Sequence, residues 1–250
     1  MSDYLFGLHA VQAALEQAPD SVSELWVDQR RHDKRMAVIL ELAKKAGTTV
    51  HGSDKHELET LVSGARHQGV VARSVAPRNL DEADLERILD ALDAPPFLLI
   101  LDGVTDPHNL GACLRSADAA GVQAVIAPKD RAASLTATAI KVASGAAQTV
   151  PFVQVTNLAR SLKELQERGI WLVGLDGHAD QTLYELDLRG PLGIVMGAEG
   201  QGLRRLTKER CDFLATIPMV GTVESLNVSV ATGICLFEAL RQRRGALSNG

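Results

Sequence analysis

Leu192-Gly193-Ile194-Val195-Met196-Gly197-Ala198-Glu199-Gly200-Gln201-Gly202 decides the fold, together with Ile217-Pro218-Met219-Val220-Gly221-Thr222-Val223-Glu224-Ser225-Leu226-Asn227-Val228-Ser229-Val230-Ala231. The first stretch is a buried strand, Leu192–Met196, running into glycines at 197, 200 and 202. The strand predicted over Phe213–Ile217 stops at Pro218 and opens into a small polar loop before a long helix. Glycines at strand ends let the backbone approach a ligand with no Cβ in the way. The two loops point to one site of mostly main-chain groups, with Glu199, Ser225 and Asn227 as its polar side chains.

Working outward, Phe97–Leu101, Ala124–Ala127, Val150–Val155 and Ile170–Leu175 are further short, nearly continuous apolar runs. Such runs suit strands covered on both faces, as in a parallel sheet. Helical patterns fall over Asn109–Ala120, Ser134–Ser144, Leu158–Arg168 and Val228–Arg241. The alternation predicts an α/β domain over residues 97–244 with helices on both faces. Ligands of such sheets bind beyond the carboxyl ends of the strands, where the glycine-rich loops lie.

Residues 1–76 read as a smaller α/β unit, with helices at Gly7–Glu16, Asp33–Ala46 and Lys55–Val62 and strands at Leu25–Val27, Thr48–His51 and Gly69–Val75. Pro77 breaks the pattern, and the acidic stretch 77–96, ending in Pro95-Pro96, reads as a linker with one short helix.

At 250 residues, 46% hydrophobic and 23% charged, the chain has ample material for a core. No apolar run approaches the ~20 residues that span a bilayer, so no membrane partner is expected. Met1–Tyr4 has no charged region followed by an apolar stretch, so no secretory signal is expected. Cys113, Cys211 and Cys235 are scattered and odd in number, which points to a reducing cytoplasm rather than disulfides or zinc. The seven histidines lack metal-ligand spacing, so no metal is expected. A net charge of −5 argues against nucleic acid only weakly, because local patches escape it. Cations cluster at Arg30, Arg31, Lys34 and Arg35, at Arg204, Arg205, Lys208 and Arg210, and at Arg241, Arg243 and Arg244. Each cluster reads equally as a solvated helix face.

The glycine order after Met196, G-x-x-G-x-G, is not that of dinucleotide-binding folds, and no triphosphatase loop or hydrolase signature occurs. In Asp102–Ser116, Asn109 stands where a helix cap would sit, and Gly111 lies one turn before Arg115, leaving room for its guanidinium. Asn227 by itself reads equally as a cap of the last helix, and Glu199 as an ion-pair partner.

These three segments resemble the motifs of the SpoU branch of the SPOUT RNA methyltransferases: Asn109, Gly111 and Arg115; Gly197, Glu199 and Gly202; and Ile217–Ala231 throughout. Phe6–Val11, His67–Val70 and Leu99–Lys129 extend the likeness, and it is greatest to the bacterial 23S rRNA guanosine-2′-O-methyltransferases of that branch. The resemblance implies a trefoil-knotted C-terminal domain, an exception to unknotted topology, and a ribosomal-protein-like N-terminal domain that docks RNA. It implies S-adenosylmethionine held by Gly174, Gly197, Ile217, Met219 and Leu226, and a homodimer with the final helix in its interface. The implied partner is 23S rRNA or the assembling large ribosomal subunit. Arg115 is then the central catalytic residue, with Asn109 and Glu199 fixing its geometry and Ser225 and Asn227 shaping the ribose side. Rival readings are a tRNA ribose methyltransferase of the same branch and a non-enzymatic RNA-binding assembly factor.

Overall fold

The structure, a computed structural model, describes residues 3–17, 19–74 and 79–247. Its contacts divide the chain into Met1–Arg78 with Ser144–Thr149, and Asn79–Ala143 with Val150–Gly250.

The first unit contains β1 (Asp3–Phe6), α1 (Leu8–Gln17), β2 (Val22–Asp28), α2 (Lys34–Ala46), β3 (Thr49–Ser53), α3 (Lys55–Leu61) and β4 (Val70–Ser74). The sheet order is β1-β4-β2-β3, with β2 and β3 parallel and the other pairs antiparallel. α2 begins and ends where its residues dictate. Asp33 Oδ1 accepts the N–H groups of Arg35 and Met36 at 3.0 and 3.1 Å, and Gly47 closes the helix at φ 70°. Leu5, Val11, Leu25, Met36, Ile39 and Val70 form one buried cluster; Leu58, Val62 and Val71 form another under α3.

The second unit runs α4 (Glu82–Asp90), β5 (Phe97–Asp102), α5 (Pro107–Ala120), β6 (Ala124–Pro128) and α6 (Ala137–Ala143). α7 (Ala146–Thr149) falls in the segment grouped with the first unit. Then come β7 (Phe152–Val155), α8 (Leu158–Glu167), β8 (Trp171–Leu175), β9 (Leu192–Gly197), α9 (Arg205–Arg210), β10 (Phe213–Ala215) and α10 (Val228–Leu247). All six strands are parallel, in the order β10-β8-β9-β5-β6-β7. Every residue of β5 is buried, as its unbroken apolar run requires. Each Leu or Ile so enclosed contributes roughly 1.5–3 kcal/mol.

Three expectations need correction. The linker predicted over 77–96 is largely part of the second unit. Leu80 pairs with the edge of β7, its N–H donating to Phe152 O at 2.9 Å and its carbonyl accepting from Gln154 at 2.8 Å. Leu85 of α4 is buried with Leu98, Val153 and Leu162, because an amphipathic helix must cover its apolar stripe. The boundary expected at Pro77 lies outside the described residues. The strand predicted over 213–217 ends at Ala215, since Thr216 exchanges hydrogen bonds with Gln181 and Leu183 instead. Gly111, finally, does not make room for Arg115. A Cβ there would lie 2.5 Å from Ala139 O and 2.7 Å from Val142 Cβ, so the glycine lets α6 pack against α5.

Candidate active site

Adjacent strands β10, β8, β9 and β5 end at Ala215, Leu175, Gly197 and Asp102, so the loops that follow them share the carboxyl edge of the sheet. After β9 the chain turns back on itself: Ala198 and Gly202 exchange backbone hydrogen bonds of 3.1 and 2.9 Å. Gly200 and Gly202 adopt φ of 72° and 67°, which favour glycine. Gly197 has a different reason. A Cβ on it would sit 2.1 Å from Gly202 C and 2.4 Å from Leu203 N.

This turn presents Glu199 to two asparagines. Its Oε1 accepts from Asn109 Nδ2 at 3.1 Å and from Asn227 Nδ2 at 2.6 Å, while Asn227 Nδ2 also reaches Asn109 Oδ1 at 3.0 Å. Glu199 Oε1 lies 3.4 Å from the Val228 N–H as well, at the start of α10, where the helix dipole favours negative charge. Asn227 caps that helix too, its Oδ1 accepting from Ser229 N at 2.9 Å. The capping and site readings of Asn227 are therefore both true. Asn109 is not a cap: Asp106 caps α5, Pro107 opens it, and Asn109 sits one turn in, 8% exposed.

The predicted bracing of Arg115 by Asn109 and Glu199 is not what the structure shows. Arg115 is exposed on α5, and among the described residues no hydrogen bond or ion pair engages its side chain. Six residues along a helix turn the side chain well away from Asn109. The two polar residues instead lock α5, the 197–202 turn and the start of α10 together. Ser225 is exposed in the loop between β10 and α10, which also carries half-buried Ile217 and Leu226 and exposed Met219. Gly174 is buried in β8. A Cβ there would meet Cys211 Sγ at 2.6 Å and Leu203 Cδ1 at 2.8 Å, which leaves only its main chain for a ligand.

The cysteines pack rather than react. Burial pushes the Cys113 thiol up to about 11, although its hydrogen bond to Thr232 opposes this. Burial likewise raises Cys211 and Cys235 to about 12. A nucleophile needs the thiolate.

Sequence reasoning assigned no role to the Asp102–Arg204 pair. Asp102, fully buried at the end of β5, accepts the Arg204 N–H at 2.9 Å, and its other oxygen lies 3.5 Å from Arg204 Nε. The Arg204 guanidinium also reaches Arg131 O at 3.4 Å. This carboxylate ties the 202–204 segment to β5. An Asp closing a continuous apolar strand was the available signal. Asp102→Ala leaves the Arg204 N–H without its acceptor and should cost about 1–3 kcal/mol. Asp102→Asn, which keeps an acceptor oxygen, should cost less. Thermal denaturation of both variants checks the order, and equal stabilities would remove the pair from this role.

Residues 96–237 match the model of the SpoU rRNA Methylase family, and residues 4–80 that of RNA 2'-O ribose methyltransferase substrate binding. Over 242 residues the chain is 58% identical to the 23S rRNA (guanosine-2'-O-)-methyltransferase RlmB of Shewanella oneidensis, covering 97% of this chain and 98% of that protein. The RlmB of Escherichia coli strain K12 is 57% identical over 243 residues, which cover 97% of this chain and all of that one. The crystal structure of the SpoU methyltransferase AviRb from Streptomyces viridochromogenes, in complex with AdoMet, superposes with a TM-score of 0.75 at 27% identity. That match covers 97% of this chain and 90% of AviRb.

Proposed function

We propose that this chain, which belongs to the SpoU rRNA methylase family, transfers a methyl group from S-adenosylmethionine to the ribose 2′-hydroxyl of a guanosine in the peptidyl-transferase region of 23S rRNA. The carrying observation is the joining of Asn109, Glu199 and Asn227, 90 and 118 positions apart, at the carboxyl edge of the sheet. It occurs in a chain 97% of which matches rRNA-directed relatives, substrate-binding segment included. That favours rRNA over tRNA. The intact polar lock favours an enzyme over an assembly factor.

The donor set fits S-adenosylmethionine. Among the described residues no backbone–backbone hydrogen bond engages 217–226, so the loop after β10 offers main-chain donors and acceptors to a ligand. Ile217, Met219 and Leu226 from that loop, with Gly197 and the main chain of Gly174, would hold the cofactor, in a segment threaded as a trefoil knot. When bound, it supplies an electrophilic methyl group.

A guanidinium is a cationic hydrogen-bond donor with no acceptor site, so the role proposed for Arg115 is electrostatic. Its guanidinium stabilises negative charge developing on the ribose 2′-oxygen and holds the adjacent phosphate, which takes the hydroxyl proton. Asn109, Glu199 and Asn227 keep the loops that form the pocket in place, and Ser225 lines the ribose side. Two copies pair through α10, where Val230 and Phe237 are 51% and 49% exposed. An rRNA substrate supports a cytoplasmic location.

In rRNA from cells lacking the protein, one guanosine 2′-O-methyl should be missing, and purified protein with S-adenosylmethionine should restore it in vitro. An unchanged methylation map would overturn the assignment.

A further inference from the structure

The three cationic clusters of the chain have different fates. Arg204, Arg205 and Lys208 meet Asp102, Glu209 and Asp176, which leaves Arg210 of that cluster without a partner among the described residues. Arg241 pairs with Glu238, and Arg243 donates to Pro95 O at 2.7 Å and Gly190 O at 2.6 Å while lying over the Phe97 ring. The cluster at the start of α2 is not absorbed in this way. Arg30, Lys34 and Arg35 are exposed, and among the described residues no carboxylate pairs with any of them. Among the described residues the Arg35 side chain has only His9 Nε2, at 3.4 Å.

Elsewhere in the first unit cations do find carboxylates: Lys45 with Glu41, Lys55 with Glu59, Arg73 with Glu24. Residues 30–35 hold four cations against one carboxylate, a local +3 in a chain of net −5. That carboxylate, Asp33, is engaged by the α2 backbone and by Arg31. The cations also crowd the positive end of a 13-residue helix dipole, where they oppose folding and an anion would be stabilised.

The neighbouring backbone is fixed in advance. Gln68, at φ 54°, accepts the Leu8 N–H on its Oε1 at 3.2 Å and an Arg31 N–H on its carbonyl. This stitches together the loops after β1, after β2 and before β4. Exposed Arg66, which also has no partner among the described residues, stands two positions before Gln68.

We infer that Arg30, Lys34 and Arg35, on the Gln68-stitched loop end of the N-terminal unit, form a phosphodiester-binding face that docks the RNA substrate. The inference rests on the rRNA reading above and names the surface that serves it. Salt dependence tests it, because every phosphate that a removed cation no longer neutralises lowers the slope of log affinity against log salt by about 0.7–0.9. Binding of transcribed 23S rRNA is measured from 50 to 300 mM KCl (roughly the range in which counterion release dominates).

The triple variant R30A/K34A/R35A should lose about 2–3 from that slope and keep the wild-type affinity for S-adenosylmethionine. R30K/R35K, which preserves the charges, should keep the slope. K44A/K45A, at the other end of α2, should keep it as well. Should the triple variant fold poorly, Arg30→Gln alone, whose side chain has no partner to lose, should lower the slope by just under 1. A wild-type slope in the triple variant or, if that is misfolded, in Arg30→Gln would overturn the inference while leaving the enzymatic reading intact. Wild-type protein that neither binds nor methylates 23S rRNA would instead remove the rRNA reading and the inference with it.

Discussion

Replacing Arg115 by Ala will lower methyl transfer to 23S rRNA by roughly 10²–10³-fold while S-adenosylmethionine binds as before. The guanidinium is exposed and free of carboxylate partners among the described residues, so its removal breaks no internal pairing and should leave the melting temperature unchanged. In the proposed role, what disappears is the positive charge that meets the 2′-oxygen as it becomes negative. Arg115→Lys keeps the charge and loses the planar fork, so it should fall between wild type and Ala. Single-turnover rates with saturating RNA, beside calorimetric titration of the cofactor, separate the two effects. A wild-type rate from Arg115→Ala would end the catalytic assignment.

Gly197→Ala should be the most damaging small substitution in the site. The new methyl would stand 2.1 Å from Gly202 C and 2.4 Å from Gly202 O, and both are backbone atoms that no rotamer change can move aside. Overpacking of this kind costs typically about 1–3 kcal/mol, equivalent to roughly 2–12 °C in melting temperature for a chain of this size. The 197–202 turn must then shift and carry Glu199 away from Asn109 and Asn227. Cofactor binding and methylation should therefore be lost together, unlike in Arg115→Ala. Gly190→Ala, where a Cβ meets nothing within 4 Å, is the matched control and should behave as wild type. If Gly197→Ala bound the cofactor normally, the turn would not be part of the pocket.

Much of the fold was legible because it is written in local patterns. Continuous apolar runs marked the strands of the parallel sheet, and Asp33 and Gly47 bounded α2 almost to the residue. The motifs around Asn109, Glu199 and Asn227 identified the family from residue types and spacing. Less legible were the roles of residues whose partners lie far along the chain. Gly111 looked like room for an arginine and is a packing surface for α6. The stretch after Pro77 looked like a linker because its charge and prolines are local, whereas the burial of Leu85 is not.

The chain's own order of residues determined the sheet, the caps, the glycine-walled loops and the choice of family, since periodicity and backbone stereochemistry act over a few neighbouring positions. Only the tertiary structure decided that Glu199 locks onto Asn109 and Asn227 rather than onto Arg115, and that Asp102 ties down Arg204. It also decided that Arg30, Lys34 and Arg35 beside α2 have no carboxylate partner among the described residues, unlike Arg205, Lys208 and Arg241. Such pairings join residues up to 118 positions apart. They are selected by which groups remain to be satisfied once the core has closed around them.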